Sequence, residues 1–193
     1  STDADAELYI GGAIKSDTMI SMSCGPLGMD LDWSGHLETV NGSIELDLGT
    51  DGRLKGDLVA GDSVPADGDE GRVVVTADDT LVLSGMIRAD RSIDISAGHV
   101  AGVGGEATSI EIEPTAWLGT SGPGNLPQTI EIDGYKNVLV DGPIGSLQQE
   151  RPRTYGDIHV VSQTDDVLVT EVSGWLETNG RIVIEGDTLT IDG

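Results

Sequence analysis

No phenylalanine occurs in this chain, and tyrosine and tryptophan bring the aromatic content to only 3%. A globular core in 193 residues normally draws on bulky rings, because each removes a large apolar area from water. Here the core must be built from Ile, Val and Leu, which pack well on pleated surfaces. A narrow, aliphatic core is the expectation. Cysteine occurs once, at Cys24, so no intrachain disulfide can form. No apolar run reaches the roughly 18 residues of a membrane-crossing helix. Positive charge is also scarce: 10 Lys and Arg stand against 34 Asp and Glu, for a formal net charge of -24. Such a balance repels nucleic acid and anionic membrane surfaces, and argues against both as partners. It fits a highly solvated surface, or a chain that works with divalent cations or in high salt, where repulsion is screened over a few ångströms.

Short alternating runs fill most of the chain. Ser43-Ile-Glu-Leu-Asp-Leu48, Arg72-Val-Val-Val-Thr76, Thr80-Leu-Val-Leu83 and Ser92-Ile-Asp-Ile95 are typical. Later runs are Ser109–Ile112, Thr129–Ile132, Asn137–Val140, Asp157–Val160, Val167–Val169, Arg181–Ile184 and Thr188–Ile191. A period of two, with polar residues between aliphatics, predicts strands with one buried face. No stretch carries apolar residues at helical spacing, so the fold class is all-β.

Self-similarity narrows the architecture. Gly35-His-Leu-Glu-Thr-Val-Asn-Gly-Ser-Ile-Glu-Leu46 returns, one residue shorter, as Gly174-Trp-Leu-Glu-Thr-Asn-Gly-Arg-Ile-Val-Ile184. Asp78–Gly85 likewise aligns with Asp165–Gly174 and brings Ile93-Asp-Ile95 into line with Ile182-Val-Ile184. The recurring unit is a strand, a glycine, a short strand, a turn, Ile-x-Ile and a second glycine. A sandwich gives no reason for such triplets, whereas the coils of a parallel β-helix do. At about 20 to 22 residues per coil the chain holds roughly eight or nine coils, a stack on the order of 40 Å long. Residues 62–71, 119–128 and 145–156 are too polar or proline-rich for strands and read as inserted loops. Residues 1–32 fit the repeat least and read as a separate N-terminal β segment, a cap or joining region, ahead of the repeats at 33–193. Within it Glu7–Ile10 and Met19–Met22 still look like strands. The first residues carry no basic and apolar signal-peptide pattern, and the last stop inside a strand pattern, which reads as a piece of a larger protein.

The stretch Gly71-Arg-Val-Val-Val-Thr-Ala-Asp-Asp-Thr-Leu-Val-Leu-Ser-Gly-Met-Ile-Arg-Ala-Asp-Arg-Ser-Ile-Asp-Ile-Ser-Ala-Gly98 resembles the repeats of filamentous-haemagglutinin-type bacterial exoproteins, and the likeness continues in weaker form over residues 33–193. The resemblance implies a right-handed parallel β-helix, and a role as adhesin, stalk or filament at the cell surface or outside the cell.

Several residues invite a chemical reading. Asp94, Glu111 and Glu131, with His159 at the next comparable place, are the outward residues of Ile-x-Ile-like runs. Direct stacking would set like charges about 5 Å apart, which disfavours a sheet unless a cation or salt intervenes. Asp67-Gly-Asp-Glu70 is the best oxygen cluster for Ca²⁺, with Asp67, Asp69 and Glu70 as ligands, although an EF-hand's other ligands are missing and a solvated acidic turn has the same composition. Asp30-Leu-Asp32 is a weaker version. Trp33, Trp117 and Trp175 have the flat faces that stack on sugar rings, and equally the bulk that covers coil edges. Arg151-Pro-Arg153 is the one basic cluster; Arg151 and Arg153 could grip an anionic glycan or pair with the acidic surroundings. Gly102–Ala107 spells a dinucleotide-binding pattern, but a strand-like run follows where that motif requires a helix N-terminus. Asn41-Gly-Ser43 is formally a glycosylation acceptor and more simply a tight turn. His36, His99 and His159 are isolated, with neither metal-ligand spacing nor a nucleophilic serine beside them.

No catalytic residue emerges, and no cofactor beyond a possible Ca²⁺. The expected role is structural: display and end-to-end self-association, with a cell-surface glycan or protein as receptor and no membrane insertion. The alternatives are a β-helical polysaccharide lyase or hydrolase, and a calcium-dependent surface-layer or matrix module.

Overall fold

The computed structural model describes residues 8–61, 71–98, 108–121, 128–145, 156–164, 167–169, 175–178 and 180–191. Among them every regular element is a strand, and no helix is present. The chain winds through triplets. The first is β1 (Leu8–Ile10), β2 (Ala13–Ser16) and β3 (Met19–Ser23), and the second β4 (Met29–Leu31), β5 (His36–Thr39) and β6 (Ser43–Asp47). Next come β7 (Asp51–Leu54), β8 (Asp57–Ala60) and β9 (Arg72–Ala77), then β10 (Thr80–Leu83), β11 (Met86–Ala89) and β12 (Ser92–Ala97). The triplet β13 (Thr108–Ile112), β14 (Trp117–Thr120) and β15 (Gln128–Gly134) precedes β16 (Asn137–Val140), β17 (Pro143–Ile144) and β18 (Gly156–Ser162). Last are β19 (Val167–Val169), β20 (Trp175–Leu176), β21 (Ile182–Glu185) and β22 (Leu189–Ile191).

Each member of a triplet pairs in parallel with its counterpart one turn away. Sheet A runs β1-β4-β7-β10-β13-β16-β19-β22, sheet B β2-β5-β8-β11-β14-β17-β20, and sheet C β3-β6-β9-β12-β15-β18-β21. This is a parallel β-solenoid with three faces. The internal copies noticed in the sequence fall on equivalent strands: His36–Thr39 and Trp175–Leu176 both lie in sheet B, and Ile93–Ile95 and Ile182–Ile184 both lie in sheet C.

Register explains the alternating pattern. In sheet C, Ile20, Ile44, Val73, Ile93, Ile130, Ile158 and Ile182 lie opposite one another in a single column, and Met22, Leu46, Val75, Ile95, Ile132, Val160 and Ile184 form the next. Sheet B supplies Ile14, Leu37, Leu58, Ile87, Leu118, Ile144 and Leu176. These columns meet those of sheet A in one aliphatic core, and most of its members away from the ends are fully buried. Each such side chain contributes on the order of 1.5–3 kcal/mol relative to exposure. Where sheet A places Gly52 in its column, the Leu48 side chain fills the gap, since a Cβ on Gly52 would come within 2.2 Å of it.

A second column, of glycines, turns the chain from sheet A to sheet B. A Cβ on Gly56 would lie 2.2 Å from the Gly35 carbonyl oxygen, and one on Gly85 would lie 2.0 Å from that of Gly56. The turns stack so closely there that a methyl group has no room, which is the physical content of the glycine in the repeat unit.

Turn length is less regular than the repeat suggests. Side chains bonded across neighbouring turns are 24 residues apart at Ser23–Asp47 but 29 apart at Ser84–Glu113 and 30 apart at Asp133–Gln163. The expected 20 to 22 residues per coil holds between Arg72 and Ser92, which are 20 residues apart on paired strands, and is exceeded at the other three pairs. Residues 62–70, 122–127 and 146–155, which lie outside the described residues, each fall between a sheet B strand and a sheet C strand in the chain. The expected loop 119–128 is narrower: Gly119 and Thr120 belong to β14 and Gln128 to β15. Toward the N-terminus, β1 to β4 pair in register with the strands that follow and belong to the same three sheets. Sequence periodicity had missed β2 and β4 there.

Candidate functional site

Among the described residues the outer face of sheet C brings together ionisable side chains from successive turns. Its middle column is Ser21, Glu45, Val74, Asp94, Glu131, His159 and Val183. Asp94 and Glu131 are direct neighbours, as the stacking argument expects. Glu111 is not part of this column: it lies in sheet A, between Val82 and Leu139, so the grouping with Asp94 is corrected. Its run follows a sheet C-to-sheet A corner, which the Ile-x-Ile spelling alone does not reveal.

The close acids are answered by basic groups on adjacent strands. The Arg72 guanidinium donates to Asp94 Oδ2 at 3.0 Å and to Ser92 Oγ at 3.2 Å. His159 Nδ1 lies 3.7 Å from Glu131 Oε1, and Nε2 lies 3.7 Å from Glu185 Oε1. Arg181 donates through Nε to Asp157 Oδ2 at 3.0 Å, and its backbone N–H donates to Asp157 Oδ1 at 2.9 Å. Side-chain hydrogen bonds from Arg181, then its backbone N–H, hold the Asp157 carboxyl below the usual range, and Asp157 in turn raises the guanidinium. Across the face these contacts offset the like-charge cost of direct stacking.

At the β15–β18–β21 end the face is recessed, a hollow of about 410 Å³ lined by Thr129, Glu131, Asp157, His159, Arg181 and Glu185 over Ile130 and Val183. Acceptors and donors converge there, which suits hydrogen bonding to a polyhydroxylated molecule. Asp157, Arg181 and Glu185 were not singled out in the sequence. A signal was available: Gly71-Arg72-Val-Val-Val and Gly180-Arg181-Ile-Val-Ile open sheet C strands in the same way, each with an arginine that reaches a carboxylate one turn away.

The other candidates are dispersed. Trp117 is 7% exposed and lies against the outer side of its own strand, where a Cβ on Gly119 would come within 2.1 Å of the ring. The ring is packed onto sheet B, not presented to solvent. Trp175 has its backbone opposite Pro143 in the same sheet. Trp33, by contrast, is 61% exposed between β4 and β5. Asp67, Asp69, Glu70, His99, Gly102–Ala107, Arg151 and Arg153 lie outside the described residues. Asp30 and Asp32 have separate partners: Lys55 Nζ donates to Asp30 Oδ2 at 3.3 Å, and the Tyr9 hydroxyl donates to Asp32 Oδ2 at 2.7 Å. The Tyr9 bond, followed by the backbone N–H of Trp33, lowers the Asp32 carboxyl. Among the described residues no three His, Cys, Asp or Glu side chains are grouped to hold a metal ion. Asn41-Gly42 forms the bend between β5 and β6, and a Cβ on Gly42 would overlap the Thr18 carbonyl at 1.1 Å, so the pair is a corner of the solenoid. Burial, then Asp47, pushes the Cys24 thiol up, away from the reactive thiolate.

No protein-family model, no curated protein and no solved structure matches this chain.

Proposed function

We propose that the chain is a structural segment of a large secreted or cell-surface repeat protein: a right-handed β-helix of eight or nine coils that serves as stalk, adhesive surface or filament. The reading rests above all on one observation, the unbroken aliphatic column shared by three parallel sheets. Such a body is stiff along its axis, because every interior strand is hydrogen-bonded on both edges. Among the described residues all acids but Asp79 are at least partly exposed, and several are answered by a neighbour one turn away, which suits a long solvated surface better than a single focused site. Action is by display and by end-to-end self-association, since stacked turns expose unpaired strand edges and apolar side chains wherever a stack stops. A surface glycan or protein is the receptor class, with nucleic acid and membrane insertion disfavoured by the charge of -24. Negative-stain imaging of native material tests this. Rods or fibres are the expected images; compact particles that turn over a polysaccharide would overturn the reading.

The recess on sheet C favours one alternative, a β-helical polysaccharide lyase or hydrolase, because acidic and basic groups converge on a single hollow there. Glycoside cleavage needs two positioned carboxyl groups, and Glu131, Asp157 and Glu185 are the ones available. Release of reducing ends from acidic or neutral polysaccharides, lost in Glu131→Gln or Glu185→Gln, would establish it. A calcium-dependent matrix module would instead show a melting point that falls on chelation at constant ionic strength.

A further inference from the structure

Both histidines among the described residues have a carboxylate at each ring nitrogen. His159 faces Glu131 through Nδ1 and Glu185 through Nε2, each at 3.7 Å. His36 faces Glu38 through Nε2 at 3.2 Å and Asp57 through Nδ1 at 3.9 Å. A neutral imidazole has one donor nitrogen and one acceptor nitrogen, so one of its two carboxylates meets an acceptor. Only imidazolium, with two donors, satisfies both. At His159 the mismatch is concrete: Nε2 is screened from solvent and has no hydrogen-bond partner, and 3.7 Å is too long for a formed bond.

The three residues stand on three successive turns, Glu131 on β15, His159 on β18 and Glu185 on β21. We propose that His159 is an acid-responsive tie that fastens β21 to the body of the solenoid: protonation lets one ring bond to the turn before and the turn after. The proposal does not depend on the stalk reading.

The surrounding charges allow this. On β15 the neighbours are Thr129, Glu131 and Asp133, and on β18 Asp157; at β21 they are Arg181 and Glu185. One turn further, Asp94 is taken by Arg72. Arg181 is taken by Asp157 and holds that carboxyl low, so Asp157 stays ionised while an imidazole titrates. The carboxylates that face the ring nitrogens are its two glutamates, and Asp133, further along β15, accepts from Gln163 Nε2 at 3.1 Å. Protonation turns the acceptor nitrogen of the ring into a second donor, so the tie gains a contact as pH falls.

Hydrogen exchange read by mass spectrometry on peptides spanning residues 182–185 tests the tie, with rates corrected for intrinsic pH dependence. From about pH 8 to pH 5.5, protection of β21 should rise roughly two- to fivefold in the natural chain, the range of partly exposed ion pairs. Protection of β12 serves as the internal reference for the general relief of negative charge. His159→Gln should remove the excess response of β21 over β12, and His159→Lys should leave β21 protected at both pH values. The same excess in natural chain and His159→Gln, or no excess in the natural chain, overturns the proposal.

Discussion

The middle and the ends of the solenoid use the same residues and obtain different burial from them. Ile93, Ile130 and Ile158 are 0% exposed, whereas Ile182, in the same column, is 44% exposed. At the other end Leu8 and Ile14 are each 38% exposed, although Leu81 and Leu37 in their columns are at 0%. Nothing in the local sequence separates Ile130 from Ile182. Among the described residues, Ile130 is paired with a strand on both sides and Ile182 on one. Stability in such a stack is approximately a sum of turn and interface terms, so the weight of a residue depends on its row.

The sharpest way to break this comparison is to truncate one column at two heights. Ile130→Ala should lower unfolding stability by about 3–4 kcal/mol, since it empties a site closed above and below. Ile182→Ala should cost less than about a third of that, because much of its surface is already wet. Urea midpoints read by circular dichroism decide it, and equal losses would mean that the end rows are as tightly bound as the middle.

The corner glycines give a second pair. Gly85→Ala forces a methyl group to within 2.0 Å of the Gly56 carbonyl and should cost about 2–3 kcal/mol. Gly12 is the corner residue of the first turn, and a Cβ there meets nothing within 4 Å. Gly12→Ala should leave thermal stability unchanged, or raise it by up to about 1 kcal/mol through the unfolded chain.

How much of this was legible in the sequence follows from what each feature depends on. The strands at Arg72–Ala77 and Ser92–Ala97 were readable because alternation encodes one buried face, and the coil triplet because Gly35–Leu46 is repeated at Gly174–Ile184. Glycine in the repeat unit also had a definite cause, close stacking at one corner. The strands β2 and β4 were missed because Ala13-Ile-Lys-Ser16 and Met29-Asp-Leu31 are too short to show a period of their own, and pairing with β5 and β7 fixes them. Site geometry was less readable still. Asp94 and Glu111 share a motif but lie on different faces, and Asp157, His159, Arg181 and Glu185 converge only because β18 and β21 are neighbours.

A third test contrasts a buried ion pair with an exposed one. Lys136 reaches Asp79, 57 residues away, with Nζ–Oδ1 at 3.5 Å, and Asp79 is only 5% exposed. Lys136→Met leaves that carboxylate without its cation and should cost about 1–2 kcal/mol, reduced from the fully buried case because the lysine is partly exposed. Lys15 pairs with Glu38 at the first turn but is 65% exposed, and Lys15→Met should not move the denaturation midpoint measurably.

The smallest effect concerns Arg181, 79% exposed in its pair with Asp157. Its removal should leave the global midpoint alone and change only the last turn. Arg181 lowers the Asp157 carboxyl, so this contact is present above the pKa of an unfolded aspartate and is lost as pH falls through the lower folded value. The pH dependence is opposite to that proposed for the His159 tie. Protection of residues 182–185 should therefore rise as the His159 tie forms, then decline as Glu131, Glu185 and Asp157 take up protons, with Asp157 held ionised longest by Arg181. In Arg181→Gln the Asp157 part of the decline should move to higher pH, because Asp157 has lost the group that keeps it ionised, while the rise due to the His159 tie persists. Hydrogen exchange followed across both limbs separates the two contacts, and an unchanged acid limb in Arg181→Gln would show that Asp157 does not hold β21.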